Sequence, residues 1–141
     1  MADIVKISDA TALAMHSLVH LALQNDGMST TANIAEVFGA SRHHLAKVHQ
    51  KLTREGYIKS SRGPAGGVSL AKDAGEITLL EIYEVMEGSM LCKPCLFGKD
   101  ECPRNDCVMG DLLPGLAQQV RDYFENTTIA QLAQESKWGR S

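Results

Sequence analysis

Two helices meeting across a joint of barely two residues govern what the first half of this chain can become. In MSTTANIAEVFGAS, Ser29, Thr30 and Thr31 supply capping hydroxyls, Ile34, Val37 and Phe38 set an apolar stripe, and Gly39 ends the helix. Ser41 then caps SRHHLAKVHQKLTREG, in which Leu45, Val48 and Leu52 face inward and Gly56 is the stop. A short helix, a tight glycine-containing turn and a second, basic helix make a helix-turn-helix. An earlier helix is predicted over residues 9–24, with Leu13, Leu18, Val19, Leu21 and Ala22 at helical spacing behind Ser8 or Asp9 as cap.

After Gly56 the period shortens. Tyr57–Ser61 and Gly67–Leu70 read as two strands joined by Arg62-Gly63-Pro64-Ala65-Gly66, a hairpin in the position of a wing. Thr78 caps a further helix carrying Leu79, Leu80, Ile82, Val85 and Met86. Beyond residue 107, DLLPGLAQQVRDYFEN puts Leu112, Leu113, Leu116, Val120, Tyr123 and Phe124 on a stripe too wide for one face of a lone helix. Burial against a second copy is the expected use of the excess, with packing on the chain's own core as the alternative. Pro114 implies that this helix starts near Asp111 or kinks. Asn126-Thr127-Thr128 caps a last short helix, IAQLAQ.

The expected fold is therefore mainly α with a small β-hairpin wing: one domain over residues 1–141, with a winged helix-turn-helix at 1–88, a cysteine loop at 89–107, and a dimerisation helix plus a C-terminal helix at 108–135. A chain of 141 residues has room for one core and no second full domain.

The formal net charge of −3 taken alone disfavours a nucleic-acid partner. Its distribution reverses that inference. From Ser41 to Lys72 seven cations (Arg42, Lys47, Lys51, Arg54, Lys59, Arg62 and Lys72) face one acid, Glu55, a local +6 that leaves −9 for the remainder. Such a basic face on an acidic protein suits a DNA reader. The first residues of the second helix of the motif are the ones that meet base edges, and here they are Arg42, His43, His44 and Lys47. Arg42 has the geometry for guanine, and the histidines can donate to phosphate or accept from a base. His49, deeper in the helix beside Val48, reads as structural or exposed. Arg62 on the glycine-flanked wing is the candidate for the minor groove.

All four cysteines, Cys92, Cys95, Cys102 and Cys107, fall in one stretch spaced C-x2-C-x6-C-x4-C. Acidic Asp3 and Asp9 with polar His16, Ser17 and His20 make the first residues neither a secretory signal nor a membrane span, so a cytoplasmic, reducing location is expected. There, clustered thiols point to metal or redox chemistry before stable disulfides. Zinc sites favour two close pairs and only Cys92/Cys95 is one, so the spacing leans toward an iron-sulfur cluster, with zinc open. A reversible disulfide switch also stays open. A CKPC oxidoreductase lacks its strand-and-helix context, and no enzymatic activity is expected.

The succession of helix-turn-helix, RGPAGG wing, EITLLEIYEVMEG, cysteine loop and long apolar helix resembles the Rrf-two family (IscR- and NsrR-like) of bacterial winged-helix transcription regulators. The likeness runs from ISDATALAMHSLVHLAL to TTIAQLAQ. It implies a homodimeric regulator, in most cases a repressor, bound to a palindromic promoter site and controlled by a 2Fe-2S or 4Fe-4S cluster that senses nitric oxide, redox state or iron supply. Cys107 resembles the third family cysteine, Cys102 the second, and Cys92 or Cys95 the first. Where some relatives place a histidine as fourth ligand this chain has Gly110, and where others place an aspartate it has Ala12, with Asp9 one turn earlier. The additional cysteine is the candidate fourth ligand.

Overall fold

Five hydroxyl side chains, those of Ser8, Thr30, Ser41, Thr78 and Thr128, each accept a hydrogen bond from the backbone N–H three residues on, and each starts a helix. The computed structural model describes residues 6–62, 67–90 and 108–136. The helices are α1 (Asp9–Leu23), α2 (Thr31–Phe38), α3 (Arg42–Arg54), α4 (Leu79–Glu87), α5 (Leu112–Asn126) and α6 (Ile129–Glu135). Thr78 and Thr128 complete capping boxes with Glu81 and Gln131. Gly39 ends α2 in the left-handed region at φ 63°, where a side chain would be strained.

Helix α1 is the axis of the core. Its Ala14, Leu18 and Leu21 are fully buried, and it packs on α2, α3, α4 and α6. Ile34 comes from α2, Leu45 and Leu52 from α3, Ile82 from α4 and Ile129 from α6, all without exposed area. Val37, expected on the inward stripe of α2, is instead 54 % exposed. An eight-residue helix presses only one narrow strip on its neighbours, and Ile34, Ala35 and Phe38 fill it.

The wing has a third strand. β2 (Ile58–Ser61) and β3 (Gly67–Leu70) pair antiparallel from Ile58↔Leu70 to Ser61↔Gly67, and β1 (Met28–Ser29) pairs with the other edge of β3. A Cβ on Gly67 would lie 2.6 Å from the Ser29 carbonyl oxygen, so glycine permits the approach of the two backbones. Because Ser29 precedes the cap of α2, the wing is anchored to the helix-turn-helix at this point.

The C-terminal part is tied back by backbone bonds. Leu79 donates to the Thr127 carbonyl (3.0 Å) and Ile129 to the Ile77 carbonyl (2.9 Å), setting the starts of α4 and α6 side by side. Helix α5 starts at Leu112 with Pro114 in its first turn, where the missing N–H costs nothing. Its apolar stripe splits into two ridges. Leu113 and Ala117 are buried, Val120 and Phe124 half-buried, and Phe124 meets Tyr83 of α4 edge-on at 5.9 Å. Leu112, Leu116 and Tyr123 stay on the outside, with Leu112 51 % and Tyr123 55 % exposed. Among the described residues no helix is long and apolar enough to cross a membrane.

Candidate nucleic-acid interface

Helix α3 divides cleanly along its length. Leu45, Val48, His49 and Leu52 are buried, while His43, Lys47, Gln50 and Arg54, spaced i, i+4, i+7 and i+11, stand exposed as one ridge. Arg42 is exposed at the first helical position, on the flank of that ridge. His44 lies on the opposite flank and is half-buried, lining a cavity of about 350 Å³ with Asp9, His16, Phe38 and Ser41. Arg42, His43 and Lys47 are thus exposed on the open side, with half-buried His44 beside the ridge on the other flank. Gln50 and Arg54 extend the ridge by two turns. Helical spacing from His43 reaches both; Arg54 already counted in the basic stretch, whereas uncharged Gln50 left no such signal.

Arg62 is exposed at the end of β2, after exposed Lys59, Ser60 and Ser61; the turn that follows lies outside the described residues. A groove lined by Ala46, Gln50, Thr53, Arg54 and Ser60 runs between α3 and the wing. Lys72, counted in the basic stretch, has its ammonium 4.4 Å from the Tyr57 ring centre, a cation-π contact. The Tyr57 hydroxyl donates to Glu81 (3.5 Å), and burial first, then the Glu81 charge, raises its pKa. Lys72 remains exposed while resting against the Tyr57 ring.

His49 is 4 % exposed. Its Nε2 lies 3.1 Å from the Ser17 hydroxyl of α1 and its Nδ1 3.0 Å from the Thr31 hydroxyl of α2. Burial lowers its pKa to about 4, so the ring is neutral at physiological pH.

Cys92, Cys95, Cys102 and Cys107 lie outside the described residues. Among the described residues no three His, Cys, Asp or Glu side chains are grouped so as to hold a metal ion. Gly110, with φ 60°, has no donor to offer; Ala12 is half-buried in α1, and Asp9 is exposed on its first turn. Cysteine thiolates are soft sulfur donors, a class that suits iron-sulfur clusters and zinc alike.

Helix α4, which precedes the cysteine segment in the chain, ends on a specific contact. Glu87, the last residue of α4, accepts from the Ser8 backbone N–H (2.9 Å) and the Thr11 hydroxyl (2.6 Å), binding the end of α4 to the start of α1. Hydrogen bonds from Ser8 and then Thr11 lower the Glu87 pKa from 4.5 to about 2. A depressed carboxyl stabilises the fold above its unfolded pKa and loses that contribution as pH falls through the folded value. Glu87→Gln is expected to destabilise the protein by about 1 kcal/mol at neutral pH. In thermal melts the gap between variant and parent should close as pH drops from 4.5 to about 2. A gap independent of pH would show that the charge is not what holds α1.

Comparison with known proteins converges on one family. The family described as Rrf2, iron-dependent transcriptional regulator, matches residues 7–135. A protein of Aquifex aeolicus assigned as an HTH-type transcriptional regulator is 34 % identical over 128 residues, 89 % of each chain. The HTH-type transcriptional regulator IscR of Serratia proteamaculans is 31 % identical over 121 residues, covering 84 % of this chain and 73 % of its own. Among solved structures, CymR, the global cysteine regulator of B. subtilis, superposes with a TM-score of 0.77 at 27 % identity over 94 % of this chain and 99 % of its own. With the exposed ridge of α3 set beside a hairpin wing, these matches assign the molecule: it belongs to the Rrf2 family of DNA-binding transcriptional regulators, and is not an enzyme.

Proposed function

We propose that the protein binds a palindromic promoter site as a homodimer, and that an iron-sulfur cluster held by Cys92, Cys95, Cys102 and Cys107 sets its affinity for that site, with repression as the outcome. Arg42, His43, His44 and Lys47 meet the major groove and Arg62 the minor groove. One observation carries the regulatory part: the cysteine segment connects α4, whose end grips α1 through Glu87, to α5, whose outer ridge is free to meet a second copy. A restraint placed on that segment bears on both the DNA-reading unit and the dimer helix. A cluster, when bound, supplies a centre that oxidants, nitric oxide or iron shortage can dismantle.

The two half-sites of a palindrome lie about one DNA turn apart, so a small change in the separation of two α3 helices alters affinity strongly. The test is purification without oxygen, with iron and sulfide counted and DNA binding measured before and after the cluster is removed. Iron and acid-labile sulfide with a change of about tenfold or more in affinity supports the proposal. Zinc with no response to oxidants assigns a structural metal, and metal-free protein whose affinity follows disulfide formation assigns a thiol switch. Cys92→Ala and Cys95→Ala compared side by side decide the fourth thiolate: equal, full cluster content in both excludes an indispensable one.

A further inference from the structure

The apolar contacts that hold α3 against the core come from Leu45, Val48 and Leu52, and such contacts have little directional preference. Cores held by them alone lose a unique arrangement before they lose stability. DNA recognition demands more. A rotation of about 20° around the α3 axis displaces side chains at a radius of about 5–6 Å by roughly 2 Å. That exceeds the window of about 0.5 Å over which a hydrogen bond keeps its length.

His49 stands where the buried and exposed faces of α3 meet, and it is the buried polar side chain of this helix. Its two ring nitrogens reach two different helices, α1 through Ser17 and α2 through Thr31. A neutral imidazole has one donor and one acceptor nitrogen, and the two hydroxyls can supply the complementary roles. The Thr53 hydroxyl also donates to the His49 carbonyl at 2.7 Å, holding the backbone at that turn. Among the described residues no buried side-chain nitrogen or oxygen lacks a partner, so the joint is fully satisfied. Satisfied buried networks specify a single packing.

We infer that His49 is a positioning residue for DNA recognition: bridging Ser17 and Thr31, it fixes the rotation of α3 and so the aim of the ridge His43, Lys47, Gln50 and Arg54. It touches no base itself. This rests on α3 being the reading helix, as proposed above.

The test uses the full-length protein and two duplexes, one selected from a random-sequence pool with the unaltered protein and one scrambled from it. His49→Leu should lower the affinity ratio for selected over scrambled DNA about tenfold while the salt dependence of binding is unchanged. His49→Gln, which keeps one donor and one acceptor, should recover most of the ratio. Thr31→Val should cost about threefold, and adding it to His49→Leu should cost nothing more, because both cut the same joint. Should His49→Leu fail to fold, Thr31→Val and Ser17→Ala carry the measurement, each removing one arm. Selectivity unchanged in these variants, or losses that multiply, overturns the inference. Lys47→Ala run alongside separates the two claims. If it too leaves affinity unchanged, α3 is not the reading helix and the inference falls with that assignment.

Discussion

Leu116→Glu is expected to convert the proposed homodimer to a monomer and to weaken binding to the proposed full palindromic site by about 100-fold or more, equivalent to roughly 2.7 kcal/mol. Leu113 and Ala117 are buried and Phe124 packs against the core, whereas among the described residues the second ridge of α5 stays exposed. Leu112, Leu116 and Tyr123 repeat at i, i+4 and i+11 on its outside, and a closed twofold contact between two such ridges is the economical way to remove them from water. A carboxylate at the middle of that contact would be buried without a partner, which few interfaces survive. Sedimentation at micromolar concentration reads the assembly state, and titration with half-site and full-site duplexes reads the coupling. Leu116→Glu protein that remains dimeric and binds the full site like the parent places the interface elsewhere.

Where the sequence was explicit, it was so because one residue type has one use. Gly39 in the left-handed region and Ser41 accepting from the His44 N–H were both legible, and together they fix the turn between α2 and α3. The wide apolar stripe of α5 was legible as an excess of large residues, though not its division into inner and outer rows. β1 escaped notice because two residues carry no alternation, and its existence depends on Gly67 letting a distant backbone come close. The contacts of greatest mechanical interest were invisible for a related reason. Glu87 reaches Thr11 across 76 positions and His49 reaches Ser17 across 32, and nothing in local periodicity joins residues so far apart. Lys72 shows a detail a charge count cannot: it stays exposed, yet its ammonium rests over the Tyr57 ring.

If α3 reads DNA as proposed, contacts that choose a sequence can be separated from contacts that only hold the duplex. Arg42→Ala is expected to lower affinity for the selected duplex by about 1–3 kcal/mol and to relax preference at one base-pair position, as for loss of a bidentate guanine contact. Lys47→Ala should weaken binding to every sequence alike and reduce the slope of log affinity against log salt by about one. Both side chains are exposed and lie outside the core, so neither change should alter the melting temperature appreciably. The two positions differ in where α3 places them. Arg42 opens the helix, the end proposed to enter the groove, while Lys47 sits more than a turn along, the place expected for a phosphate contact. Arg62→Ala offers the third arm: its loss should matter most for duplexes whose minor groove under the wing is narrow and A·T-rich. Uniform loss from Arg42→Ala with a changed salt slope, and altered base preference from Lys47→Ala, would exchange the two roles. That exchange would mean α3 enters the groove along its exposed ridge, with Gln50 and Arg54, rather than by its first turn.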